Sequence, residues 1–155
     1  MNDRLPIVRT GEGDYRLDLS NEERDVLRSL PTQLRQLLAD DDPALIRLFP
    51  TAYSEDPERE EEYRRLMKEE LLARRLESLT VVEETVDAER LSEEQLNVWM
   101  RVINDLRLVL GTILDVSEDE DPEELDADDP RAPMRGLYWY LSMLLQAAIE
   151  ALDDA

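Results

Sequence analysis

Carboxylates dominate the groups in this sequence that could do chemistry: 39 Asp and Glu stand against 18 Lys and Arg, with no His and no Cys. Lys68 is the single lysine. General acid–base and nucleophilic work would therefore fall to carboxylates, serines and tyrosines. Two glutamates across a cleft could act as acid and base on a glycosidic bond. Nearly all the glutamates here, however, sit at helical spacing among other charges, which is the pattern of a solvated helix face. A carboxylate-bridged metal centre in a helical bundle would require Glu-x-x-His pairs, which a chain without histidine cannot supply. The run Asp40-Asp41-Asp42 before Pro43 suits the positive end of a short helix better than a metal ion. The acidic stretch SEDEDPEELDADDP lacks both EF-hand spacing and a turn glycine. Gly11-Glu12-Gly13 is not a phosphate loop, because no Lys-Ser/Thr follows and a strand, not a helix, comes next. The residues thus predict no catalytic, cofactor-binding or metal site, and a protein that is not an enzyme.

The formal net charge of -21 directs attention to protein partners. Such a polyanion is repelled by phosphate backbones and anionic membranes, and overcoming that field needs a concentrated basic patch. The best basic cluster, Arg64, Arg65, Arg74 and Arg75, is interleaved with glutamates and reads as an internally neutral helix face. Direct nucleic-acid binding is disfavoured. A basic or mixed-charge protein surface is the partner that the field would steer; the alternative is that acidity serves solubility alone.

Two surfaces could carry such contacts. Arg101, Asn104, Asp105 and Arg107 share the polar side of one helix, with Arg101 and Asp105 spaced to pair across a turn. The bland reading of this face is a wet helix surface. Trp139, Tyr140 and Met143 extend apolar surface around a second helix beyond its core stripe, and are candidates for a partner or homodimer contact.

The expected fold is mainly α, a helical bundle-like single domain over residues 1–155 with a small N-terminal β-hairpin. Tyr15, Leu17 and Leu19 alternate with Arg16 and Asp18, and glycines supply the turn, which places a hairpin over residues 5–19. Ser20 with Glu23 makes a capping box for a helix over 20–39, kinked or divided by Pro31. A short helix over 43–49 is stopped by Pro50. Pro57 opens a long helix over 57–86, roughly 45 Å at the usual rise per residue. Ser92 with Gln95 caps a central helix over 92–114. Leu96, Trp99, Met100, Ile103, Leu106, Val109, Leu110, Ile113 and Leu114 form its apolar face. Residues 115–132 have the composition of an acidic, flexible connection, and a last helix occupies 133–152. No window is long and apolar enough for a membrane span, and the N-terminus lacks a signal-peptide core, so the expected location is the cytoplasm.

The run VWMRVINDLRLVLGT, preceded by LSEEQ, resembles an actinobacterial family described as a domain of unknown function. That family is encoded beside the Clp adaptor ClpS and is named after the oxidative-stress regulator AosR. YWYLSMLLQAAIEAL and RLFPTAYSEDPEREEEYRRLMKEELLARRLESL resemble the same family, so the likeness covers nearly the whole chain. The resemblance implies a cytoplasmic regulatory role through protein contacts. The partner it implies is a sigma factor or the transcription apparatus, with the Clp machinery as the alternative. It implies no active site. A chain without cysteine cannot sense oxidant through a thiol pair; Met67, Met100, Met134 and Met143 are oxidisable, although Met on a helical apolar face is more often core.

Overall fold

The computed structural model describes residues 5–40, 42, 45, 48, 56–114 and 130–153. The order of elements is β1 (Ile7–Arg9), β2 (Tyr15–Leu17), α1 (Asn21–Asp40), α2 (Pro57–Thr85), β3 (Arg90–Leu91), α3 (Glu93–Leu114) and α4 (Ala132–Asp153). The expected acidic connection lies outside the described residues except at its last three positions. Of the expected 43–49 helix only Leu45 and Leu48 are described, both buried and both in a 3-10 turn.

Both capping boxes form as their spacing requires. The Glu23 backbone N–H donates to Ser20 Oγ at 3.1 Å, and the Ser20 N–H donates to Glu23 Oε1 at 3.3 Å. Gln95 and Ser92 repeat the exchange at 3.1 and 2.9 Å. Each box satisfies two donors that a helix start leaves without intrahelical partners. At the start of α2, Pro57 takes a first-turn position and Asp56 accepts from the Arg59 N–H at 3.2 Å.

Pro31 does not divide α1, which runs unbroken through it for 20 residues. A proline inside a helix removes one backbone hydrogen bond. Here the ring is buried in line with Leu27, Leu30, Leu34 and Leu38, so apolar burial on the core side of α1 offsets that loss.

The expected hairpin is part of a larger sheet. β1 pairs antiparallel with β2 (Ile7 with Leu17, Arg9 with Tyr15), and β2 pairs antiparallel with β3 (Tyr15 with Leu91). The sheet order is β1-β2-β3. Leu91, just before the expected central helix, is a strand residue, with Ser92 as the cap between the two elements. The third strand stabilises a hairpin that would be marginal alone. Gly13, at φ +87, supplies the left-handed turn conformation that ordinary side chains avoid.

One apolar core joins these pieces. Ile7, Tyr15 and Leu17 from the sheet, Leu34 from α1, Leu79 and Val82 from α2, Leu96, Trp99 and Ile103 from α3, and Leu141, Leu144 and Ala148 from α4 are all buried in it. Ile113, expected on the buried face of α3, is 39% exposed at the end of that helix. The Trp99 indole, fully buried, donates to Thr85 Oγ1 at 2.7 Å, and Thr85 in turn donates to the Val81 carbonyl at 2.7 Å. α3 and α4 are antiparallel neighbours: Arg131 at the start of α4 bonds the Ile113 carbonyl at the end of α3.

Arg24 holds the sheet to the helices. Its Nη1 donates to the Val86 carbonyl at 2.7 Å and to the Ala88 carbonyl at 2.9 Å, just past the end of α2. Its Nη2 reaches Leu17 O at 3.3 Å and its Nε reaches Leu19 O at 3.4 Å. Arg24→Ala leaves these half-buried carbonyls without their donor and should lower the unfolding free energy by about 3 kcal/mol, seen as a lower urea midpoint. Arg24→Lys should recover little of the loss, because an ammonium cannot span acceptors that a planar fork reaches.

Candidate functional site

The four polar residues singled out on α3 do not share one surface. Asp105 turns toward α2, where its Oδ2 lies 3.5 Å from Arg75 Nε, with side chains 18% and 20% exposed. Arg75 also donates from Nη2 to the Leu48 carbonyl at 3.2 Å. The expected Arg101–Asp105 pair is thus replaced by a pair between helices, although Arg101 still contributes its field at Asp105. Burial raises the Asp105 carboxyl above its ordinary pKa, and the attraction of Arg75 and then Arg101 opposes that shift without cancelling it.

Asn104 and Arg107 face the N-terminal half of α4. Arg107 donates from Nη2 to Asn104 Oδ1 at 3.3 Å, and its guanidinium carbon lies 6.0 Å from the centre of the Tyr138 ring. Arg107 Nε is buried without a hydrogen-bond acceptor among the described residues. Tyr138 in turn meets Trp139 edge to face, with centroids 5.1 Å apart. This group ties α3 to α4 and is half-buried, so little of it is free to meet another protein.

Arg101 alone of the four is exposed. Together with Glu93, Glu94, Asn97 and Met100 it lines a shallow, open depression of about 530 Å³ on the N-terminal half of α3. Its Nε donates to the Asn97 carbonyl at 3.5 Å, a long bond that holds the side chain loosely.

The aromatic group of α4 is divided as well. The Tyr140 hydroxyl donates to Glu23 Oε2 at 2.7 Å, so Tyr140 joins α4 to the capping box of α1. Burial first, then the hydrogen bond and charge of Glu23, push its phenol well above the ordinary range. Trp139 is half-buried, whereas Met143 is 47% exposed and Ile149, two turns further along, is 37% exposed. The outward-facing candidates are therefore Arg101 on α3 and Met143 on α4.

Among the described residues no group of three or more Asp or Glu is placed to hold a metal ion. No described helix is long and apolar enough to cross a membrane. Three contacts escaped the sequence pattern: Arg75 with Asp105, Tyr140 with Glu23, and Trp99 with Thr85. The first two join residues far apart in the chain, where periodicity carries no signal.

Because Arg75 is the larger opposing charge, Arg75→Met should raise the Asp105 pKa further, read by carbon-13 titration of the carboxyl. A raised folded pKa means that the stabilisation from Asp105 is full below its unfolded pKa and is lost as pH rises through the folded one. The stability advantage of wild type over Asp105→Asn should accordingly shrink in urea titrations run from about pH 3 to about pH 7.

The family described as Domain of unknown function (DUF2017) matches residues 4–152. An AosR protein of Mycobacterium leprae, named as an oxidative stress regulator, is 31% identical over 130 residues, covering 72% of this chain and 59% of its own. The oxidative stress regulator AosR of Mycobacterium tuberculosis is 29% identical over 129 residues, covering 72% and 58%. The chain spans less than two thirds of the length of these curated relatives. No solved structure matches it.

Proposed function

Because the chain belongs to the family described as Domain of unknown function (DUF2017), we propose that it is a non-enzymatic regulator. It acts by docking on another protein, in transcriptional control of the response to oxidative stress. The relatives named as oxidative stress regulators support the regulatory part of this reading. The observation that carries the docking part is α4. That helix buries Leu141, Leu144, Ala148 and Ala151 in the core and still presents Met143 and Ile149 to solvent. Exposed large apolar side chains on an otherwise well-packed helix are candidates for contact with a partner.

A sigma factor or another part of the transcription apparatus is the proposed partner, and the cytoplasm the proposed location. The mechanism is occlusion or recruitment, with no covalent step. The net charge of -21 favours a partner surface rich in Lys and Arg and works against unaided binding to DNA. With no cysteine in the chain, a response to oxidant would come from the partner or from exposed methionine, of which Met143 is the most accessible described one.

Affinity capture of the tagged protein from its own cells, with and without oxidant, tests the reading. Wild type should recover a sigma factor or polymerase subunit, and Met143→Glu combined with Ile149→Glu should reduce that recovery about tenfold or more while the fold is retained. Recovery of Clp components instead would move the function to adaptor-linked proteolysis. Recovery of the protein itself alone would make α4 a homodimer surface. Duplex DNA should fail to bind even at low salt, where electrostatic binding is strongest.

A further inference from the structure

The outward side of α4 is unlike the rest of the surface. Charged residues make up 37% of the chain, yet none occurs between Gly136 and Ile149. Leu141, Leu144 and Ala148 turn to the core. At about 100° per residue, the opposite side of the helix presents Trp139, Ser142, Met143, Gln146 and Ile149 as one strip. Met143, Gln146 and Ile149 are exposed, and Trp139 and Ser142 are half-buried. Its two polar members already hydrogen-bond within their own helix: Ser142 Oγ donates to the Tyr138 carbonyl at 3.0 Å, and Gln146 Nε2 donates to Glu150 Oε1 at 3.2 Å. A base and an acid bound the strip, Arg135 at its N-terminal end and Glu150 at its C-terminal end.

With no charge along it, this strip attracts neither a basic nor an acidic surface. Its acidic end is also offset locally, since Glu150 lines the same groove as Arg9 of β1. What fits such a strip is a second helix that is uncharged and partly apolar over the same length, about 22 Å from Arg135 to Glu150. That helix should carry an acid where α4 has its base, and a base where α4 has its acid. α4 itself, turned end for end, meets the description.

We infer that the free chain pairs with a second copy of itself through α4, the two helices antiparallel and related by a two-fold axis beside Ser142 and Met143. In such an isologous contact each residue and its counterpart exchange roles across the axis. Ser142 and Met143 then meet their own copies, Trp139 lies level with Gln146 of the second copy, and Arg135 lies level with Glu150 at both ends. A parallel pair would instead set Arg135 against Arg135 and Glu150 against Glu150. The rest of each molecule is acidic, but at about 0.15 M salt a Debye length of about 8 Å screens carboxylates set back from the contact. One pair of helices buries less than a standard interface, so the dimer is weak, with a dissociation constant on the order of 10–100 μM. The inference goes beyond the docking reading above because it concerns the chain without a partner. A partner that docks on Met143 and Ile149 competes with the second copy.

Sedimentation equilibrium of the whole chain, from about 5 μM to about 500 μM, should show monomer and dimer in exchange. Arg135→Glu and Glu150→Arg should each weaken the dimer about fivefold or more, because each sets like charges level at both ends. An equimolar mixture of the two variants should recover the association of wild type, since each supplies the charge that the reversed end of the other requires. The chain has no cysteine, so single cysteines report on the contact directly. Ser142→Cys should give a disulfide-linked dimer on treatment with diamide. Gln146→Cys, about 10 Å from its own copy along the helix axis, should not. Should a charge variant fail to fold, the two cysteine variants decide alone. A monomeric mass at every concentration, equal cross-linking at both positions, or no recovery in the mixture of folded variants overturns the inference. A monomeric chain would leave capture of a partner untouched, and a capture experiment that recovers no partner would leave the dimer standing.

Discussion

The guanidinium of Arg24 is the contact on which the arrangement of sheet and helices depends. A three-stranded sheet with strands of two or three residues has few hydrogen bonds of its own. It keeps its place because one planar cation in the first turns of α1 accepts the geometry of four carbonyls. Two belong to β2 and the residues after it, and two to the turn between α2 and β3. A point charge could satisfy one or two of them, whereas the fork of an arginine can reach all four. This single residue sets how the end of α2 meets the sheet, and through it where β3 can pair.

The same economy recurs where helices meet. Glu23 closes the capping box of α1 with one carboxylate oxygen and receives the Tyr140 hydroxyl with the other. Thr85 receives the Trp99 indole and bonds back to its own helix. Asp105 lies against Arg75 between α3 and α2. In each case a polar group at the edge of the apolar core is answered by a partner from another element, as burial demands of any group taken out of water. The consequence for function is that most polar residues suspected of external contacts are already engaged internally. Of the candidates, those that remain outward are Arg101 in its shallow depression and Met143, with Ile149 beside it on α4.

These surfaces are acidic or apolar and open. That combination suits docking of protein segments more than enclosure of a small substrate, which needs a concave site with convergent polar groups. The long α2 adds reach: 29 residues extend about 44 Å, with Leu66 on its N-terminal half 64% exposed.

Local chemistry made much of the fold legible in the sequence. Ser20 with Glu23, Ser92 with Gln95, and Asp56 before Pro57 marked three helix starts, because caps act within one turn. The spacing of Leu96, Trp99, Ile103 and Leu106 marked the buried face of α3, because a helix repeats every 3.6 residues whatever surrounds it. The sequence by itself therefore determined which segments are helical, which sides of them are apolar, and that a hairpin comes first. Tertiary structure decided the rest. Arg90 and Leu91 form a strand only because β2 is there to pair with them; two residues carry no pattern of their own. Pro31 stays within an unbroken helix because its ring is buried beside Leu34. Asp105 chose Arg75 over Arg101, four residues away on its own helix, because burial between α2 and α3 rewards the partner that is buried with it. Such choices depend on which distant residues share a low-dielectric boundary, and only the folded chain brings those residues together.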